Sequence, residues 1–445
     1  MKKETQHIVR KLKNSSLGRL KTFLTHYGSL STGEGGGRGR LWVLFFFLLI
    51  VSCASEEDSP SRQMPITFSC SDDGVMTRAG EVSLSEFISD FKVYGINGDI
   101  SGSGNDAVFT KKNTVFPNYQ VWHTENMANT TSTNTANWEY VGNVETATGT
   151  EEQTIKYWDD KHDGHYFWAI GDFSKRGGYD YTESTLPDPH VIEVQNLTQA
   201  DIQDDSKCLY FTRPKYVPRD KYGQPVTLAF LRYCSRIRIG FYEDITQAGG
   251  DKRYKVVGMS FYRVNADGTF NTNELPTTNV SLKGDFVNEG NVRLTYINAS
   301  FKGGDNVDNV STETIPAEDG KSKSKEFGVL NIAGTQSGAL PTSSSEALFT
   351  TNNGSQYTKV MPYDNQEGLT LQCDILVRNQ NESQFTQQNV LASIPAHYTN
   401  WQPNQSYTYI FKIVTTPDGA AIILANVEVE SWKSDGLMED EWHNW

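Results

Sequence analysis

The sequence predicts an all-β protein, most simply two β-sandwiches in tandem, and three observations carry that prediction. Apolar residues recur with a period of two: Leu371, Cys373, Ile375 and Val377 alternate with Thr370, Gln372 and Asp374, which puts the first set on one face of a strand. The segments between such runs are rich in Asn, Asp, Gly and Pro. No stretch keeps the ~3.6-residue period of an amphipathic helix over three or more turns.

Taken in order, the predicted strands begin with Phe91 to Ile96, Tyr166 to Ile170 and Val226 to Leu231. Ile237, Ile239 and Phe241 then alternate with Arg236, Arg238 and Gly240, and Lys255 to Tyr262 and Val292 to Ile297 follow. After the run at Leu371, Tyr407, Tyr409, Phe411 and Ile413 form another alternating set, and Ala421 to Val429 closes the series. Asn97-Gly98, Asn265 to Gly268 and Pro417 to Gly419 carry turn chemistry. Two polar stretches, Thr124 to Thr154 and Gly303 to Lys325, read as long surface loops. Paired glycines in Ile245 to Lys252 suggest the domain boundary, which gives sandwiches at 81–248 and 249–445.

Composition excludes several classes. With 445 residues, 12% aromatic content and a mean hydropathy of −0.53, the chain is too aromatic for a disordered polymer and too polar for a polytopic membrane protein. A net charge of −14 argues against a nucleic-acid partner, whose phosphates call for basic patches. The charge is unevenly spread. Residues 1–52 hold nine Lys/Arg against Glu4 and Glu34, a balance of +7, so residues 53–445 carry −21.

The basic segment leads into Leu41 to Ser52, in which eleven of twelve residues are apolar. A bilayer-spanning helix needs about 20 residues, so this run suits the apolar core of an export signal instead. Ile50, Val51, Ser52 and Cys53, at its end, resemble a bacterial lipobox. That resemblance implies cleavage after Ser52, a diacylglyceryl group on the Cys53 thiol and a lipidated linker over 53–80. Each buried CH₂ contributes ~0.8 kcal/mol, so two or more acyl chains would hold the protein to a membrane without a spanning helix. Ser55, Glu56, Glu57 and Asp58 resemble the acidic tag of lipoproteins that reach the outer face of the outer membrane in Bacteroidetes.

Of five cysteines, Cys70, Cys208, Cys234 and Cys373 remain after Cys53, with no C-x-x-C pair to suggest zinc. His162 and His165 lie among aspartates, but a Gly-containing turn into the aromatic run Tyr166-Phe167-Trp168 accounts for them without a metal. Asn265 to Thr269 begins like a calcium loop, yet Pro276 stands where the bidentate Glu belongs. Neither a phosphate-cradling Gly-x-x-x-x-Gly-Lys nor a Gly-x-Ser-x-Gly elbow occurs in residues 53–445, so we expect no enzyme, no cofactor and no metal. A glycosidase carboxylate pair is defined by separation in space, which a sequence does not display. The aromatic residues could instead build a sugar-stacking face, which makes an outer-membrane glycan-binding lipoprotein the alternative reading.

Several segments, in order, resemble the fimbrillin family of Bacteroidetes. They are the lipobox at Cys53, Ile66-Thr67-Phe68, Thr77-Arg78-Ala79, Phe91 to Gly95, His165 to Ala169, Leu228 to Ile239, Trp401 to Tyr409, and Val427 to Trp432. The resemblance implies two transthyretin-like β-sandwiches and a role as fimbrial subunit or anchor supporting adhesion, located at the outer membrane and in the fimbrium. It further implies that an arginine-specific protease cuts after Arg78, that the first strand (Met64 to Cys70, with Ile66, Thr67 and Phe68 at its centre) leaves, and that another subunit's strand takes its place. In the family the donor strand comes from the C-terminal region, here after Glu428. Anchor relatives keep their lipid and are not cut.

Overall fold

In a computed structural model the chain divides into a leading unit, Met1–Arg62, and a body, Gln63–Trp445. The structure describes residues 64–72, 88–103, 107–124, 137–146, 149–171, 181–184, 189–204, 207–243, 254–256, 280–296, 310–330, 340–352, 354–379, 386–416 and 419–432, all within the body. Nearly every element among them is a strand. In chain order these begin with β1 (Phe68–Asp72), β2 (Asp90–Ser101), β3 (Val108–His123), β4 (Trp138–Glu139), β5 (Gly142–Thr146) and β6 (Gly149–Gln153). Then come β7 (Gly164–Gly171), β8 (Tyr181–Glu183), β9 (His190–Thr198), β10 (Tyr210–Thr212), β11 (Lys215–Pro218) and β12 (Val226–Arg232). The next group is β13 (Ser235–Glu243), β14 (Tyr254–Val256), β15 (Ser281–Val287), β16 (Glu289–Tyr296), β17 (Val310–Pro316), β18 (Lys321–Glu326) and β19 (Val329–Leu330). Last are β20 (Leu348–Thr351), β21 (Thr358–Val360), β22 (Leu369–Asn379), β23 (Thr386–Ile394), β24 (Gln405–Thr416) and β25 (Gly419–Ser431). One short helix, α1 (Gln199–Gln203), follows β9 and is started by a capping box in which Thr198 and Asp201 satisfy each other's backbone N–H.

The strands form four larger sheets around two apolar cores. The sheet β1-β12-β10-β7-β2-β3-β4, with β11 also on β7, and the sheet β17-β16-β9-β8 both contribute to the first core. The sheets β19-β20-β13-β24-β25 (with β21 on β13) and β14-β22-β15-β18 (with β23 on β22) enclose the second. The period of two explains the inner faces: Leu371, Cys373 and Ile375 are buried while Gln372 and Asp374 between them are less so. β7 is buried along its whole length because it lies inside its sheet, with β10 and β11 on one side and β2 on the other.

Four expectations from the sequence change on inspection. Asn97-Gly98 is not a hairpin turn but an irregularity inside β2, where the register against β3 shifts. A Cβ on Gly98 would lie 2.2 Å from the Thr110 carbonyl oxygen, and the Asn97 side chain accepts the Asn113 N–H, so the dipeptide serves close strand approach. The supposed loop Thr124 to Thr154 contains β4, the β5-β6 hairpin and the buried residues Trp138 and Tyr140. The supposed loop Gly303 to Lys325 contains β17 and most of β18, which are sheet edges with polar residues on both faces and so lack the apolar alternation that reveals a strand. Finally, β16 and β17 pair onto β9 and put Val292, Leu294 and Tyr296 into the first core. A linear cut between residues 248 and 249 therefore does not separate the strands of one core from those of the other.

Candidate functional site

The first described strand lies at the end of its sheet, and the residues leading into it are gripped on a second side, so that the whole segment sits in a slot. Phe68 to Asp72 run parallel to β12, from Phe68 opposite Val226 to Asp72 opposite Phe230. Just before, the chain uses its other side. The Ile66 N–H donates to the Lys156 carbonyl (2.8 Å) and the Trp158 N–H donates to the Met64 carbonyl (3.0 Å), while the Val226 N–H donates to the Thr67 carbonyl (2.8 Å). The segment is thus held between β12 on one flank and Lys156 to Trp158 on the other. By contrast, β13, the first strand of the second core, has partner strands on both sides: the parallel β24 on one and the antiparallel β20 and β21 on the other.

Side chains fix the segment inward. Ile66 and Phe68 are fully buried, and Thr67 is nearly so. The Phe68 ring is met by Phe116 at 5.3 Å, Phe167 at 5.8 Å, Tyr140 at 5.9 Å and Phe91 at 6.4 Å between centroids, all in edge-to-face arrangements. Ser69 points the other way and its hydroxyl lies 2.9 Å from that of Thr227. The Tyr140 hydroxyl donates to the Ile66 carbonyl (3.0 Å) and accepts the Lys156 N–H (3.1 Å), which ties both flanks together; burial pushes this phenol well above its usual range, so it stays a donor. At the open end Met64 lies over Gly223, where φ is +84° and a Cβ would approach the Met64 sulfur to 2.8 Å.

The lower flank has its own brace. The Trp158 ring stacks on Tyr222 at 4.5 Å, and the Tyr222 hydroxyl is 2.8 Å from His165 Nδ1. Burial lowers the His165 pKa from 6.5 to about 4, so the ring is neutral at neutral pH. His162 faces elsewhere, with Nδ1 2.9 Å from Asp99, and that hydrogen bond holds the Asp99 carboxyl below its usual range. The two histidines thus serve separate contacts, and no cluster of three metal-ligating groups occurs among the described residues.

Of the residues singled out from the sequence, the fold brings Ile66, Thr67 and Phe68 together in the slot, while Ser52, Cys53 and Arg78 lie outside the described residues. Tyr140 and Trp158 were not anticipated. The signal for Tyr140 was present: Trp138 and Tyr140 alternate inside an otherwise polar stretch. Among the described tryptophans Trp138, Trp158, Trp168, Trp401 and Trp432 are buried and Trp122 is half-buried.

A scan against known protein families finds none that matches the chain, and a search of curated proteins finds no relative. Solved structures do resemble it. A fimbrial protein from Bacteroides vulgatus is 13% identical over 83% of this chain and 99% of its own, with a TM-score of 0.43. A provisionally assigned cell adhesion protein from Bacteroides uniformis is 14% identical over 83% and 99%, at 0.35, and one from Parabacteroides distasonis is 11% identical over 83% and 98%, at 0.34. These values are low, and the functional reading rests on the chain's own residues.

Proposed function

We propose that this chain is a structural subunit or anchor of a bacterial surface fimbrium that supports cell adhesion and has no catalytic role. It is exported as a lipoprotein, cut after Ser52, acylated at Cys53 and carried to the outer face of the outer membrane. In the polymerising form an arginine-specific protease cuts after Arg78, and the segment around Ile66, Thr67 and Phe68 is exchanged for a strand of another subunit.

The observation that carries this reading is the slot of β1. It is the first strand among the described residues, residues 73–87 connect it to those that follow, and Arg78 falls within that connection. A single cut there frees the strand with everything before it. Losing it would leave β12 with unpaired backbone groups and would open the aromatic cage around Phe68, an edge that a partner's strand can satisfy by β-augmentation. The cut would also remove the lipid and the acidic linker at Glu56, Glu57 and Asp58.

Incubating the lipidated chain with an arginine-specific protease tests this. The expected result is one early cut after Arg78 followed by a ladder of oligomers on a gel. A chain that is cut there yet stays monomeric at every concentration would overturn the exchange step.

A further inference from the structure

Cys208, just ahead of β10, and Cys234, between β12 and β13, bring their sulfurs to 3.4 Å in the buried interior. The register explains the encounter. β10 and β12 match Thr212 to Phe230, Phe211 to Leu231 and Tyr210 to Arg232. Carried back along the same register, Leu209 meets Tyr233, where the Tyr233 N–H donates to the Leu209 carbonyl at 2.8 Å, and Cys208 then stands opposite Cys234. Opposed pairs in an antiparallel ladder alternate between a hydrogen-bonded type and a closer type with Cα atoms ~4.5 Å apart. With Leu209 and Tyr233 hydrogen-bonded, the cysteine pair falls at the closer type, and a disulfide spans Cα separations of about 4.4 to 6.8 Å. A closing motion of about 1.4 Å brings the sulfurs to bonding distance, within the reach of small side-chain rotations.

We propose that Cys208 and Cys234 are joined by a disulfide when the chain folds in an oxidising compartment. The bond forms by exchange with a disulfide donor. Each cysteine thiol gives up one electron and one proton, a sulfur–sulfur bond forms between them, and the donor disulfide is reduced to two thiols. Burial raises the Cys234 thiol well above its ordinary range, so the attacking thiolate is suppressed in the folded protein and the bond is made before this region closes. Once made, it is shielded from reductants by the same burial.

The position gives the bond a purpose. The loop from Cys208 to Cys234 contains β10, β11 and β12, and so includes the strand on which β1 lies. β12 is paired to β10 over only three residues. Its far end adjoins the second sandwich, where the Asn404 N–H donates to the Cys234 carbonyl (3.2 Å) and the Arg232 N–H donates to the Asn404 side chain (3.3 Å). A covalent link at Cys234 keeps β12 in place while the slot is empty. This purpose, and the oxidising compartment, rest on the exported-subunit reading.

The test alkylates the thiols of the full chain under denaturing conditions before any reduction, then maps its peptides by mass. Two preparations are compared: protein extracted from the cell surface, and protein refolded from the reduced state in a glutathione redox buffer. The expected result in both is a linked Cys208/Cys234 peptide lighter by two hydrogens, with Cys70 and Cys373 alkylated. Refolded protein alkylated at both Cys208 and Cys234, or cross-linked at another pair, overturns the proposal. A link in refolded protein with both thiols reduced in the cell-derived sample upholds the pairing and counts against export. Reducing the refolded protein should lower its Tm by on the order of 10 °C, and a C208A/C234A variant should lose this redox dependence.

Discussion

Replacing Phe68 by Ala puts the slot under the sharpest test. The ring is fully buried and touches four aromatic rings, so its removal leaves a cavity in the middle of the cage. Phe→Ala changes in such settings cost about 3 to 5 kcal/mol. We take about 4 kcal/mol, because the surrounding rings come from β2, β3, β7 and the residue after β4, and cannot collapse together. In the uncut chain this lowers the stability of the first core. After a cut at Arg78 the same loss falls on the hold of the N-terminal fragment, and at one power of ten per 1.4 kcal/mol it weakens that hold by about three powers of ten. The assay separates fragment from body by size-exclusion chromatography at intervals after cleavage. Wild type should retain the fragment for much longer than Phe68→Ala, and Phe241→Ala, in the second core, should release it at the wild-type rate. If Phe68→Ala released the fragment within about tenfold of wild type while the body remained folded, the slot would not be what holds the strand.

Three further outcomes follow from the same structure. His165 and His190 are both lowered by burial from 6.5 to about 4; the unfolded chain therefore takes up protons between those pH values that the folded chain refuses, and the histidine contribution to stability falls as pH drops from about 6.5 to about 4 and is constant below. Each shift is worth on the order of 3 kcal/mol, so His165→Phe should remove roughly half of this histidine part of the acid loss, read by urea titration at a series of pH values down to about 4. Gly98→Val should lower the Tm by several degrees or prevent folding, since its side chain would collide with the Thr110 backbone; an unchanged Tm would mean that β2 and β3 do not approach as described. Arg293, paired to Glu193 at 3.0 Å and to Glu313 at 3.1 Å, is partly exposed, so Arg293→Ala should cost less than about 1 kcal/mol by denaturant unfolding.

The reading of strands from the sequence succeeded where one face of a strand is buried and the other is not. β22 shows this: Leu371, Cys373 and Ile375 are buried as their spacing demands, while Gln372 and Asp374 between them are only partly so. β7 and β24, buried on both faces, were still legible because they are rich in aromatic and branched apolar residues, and the reading failed where neither face is strongly apolar. β17 and β18 are polar edges, and Asn97-Gly98 has the chemistry of a turn but is used for close packing within a sheet. The slot itself was half legible. Ile66 and Phe68 showed the period of an early strand, but a short strand carries no mark of its partner, and β12 lies 158 residues further on, as the Ser69–Thr227 contact records. The cysteine pair was hidden for the same reason, since a separation of 26 residues becomes 3.4 Å only through the register of β10 and β12.

The central claim is that β12 is an acceptor edge, filled first by the chain's own strand and later by another's. Hydrogen–deuterium exchange of the β12 amides opposite β1, Val226–Phe230, that do not face β10 measures this directly in three forms: the intact chain, the cut body stripped of its fragment, and the oligomer. The account predicts protection in the intact chain, fast exchange in the stripped body, and renewed protection in the oligomer although residues 64–72 are gone. Equal protection in all three forms, or an oligomer in which β12 exchanges as fast as in the stripped body, would contradict it.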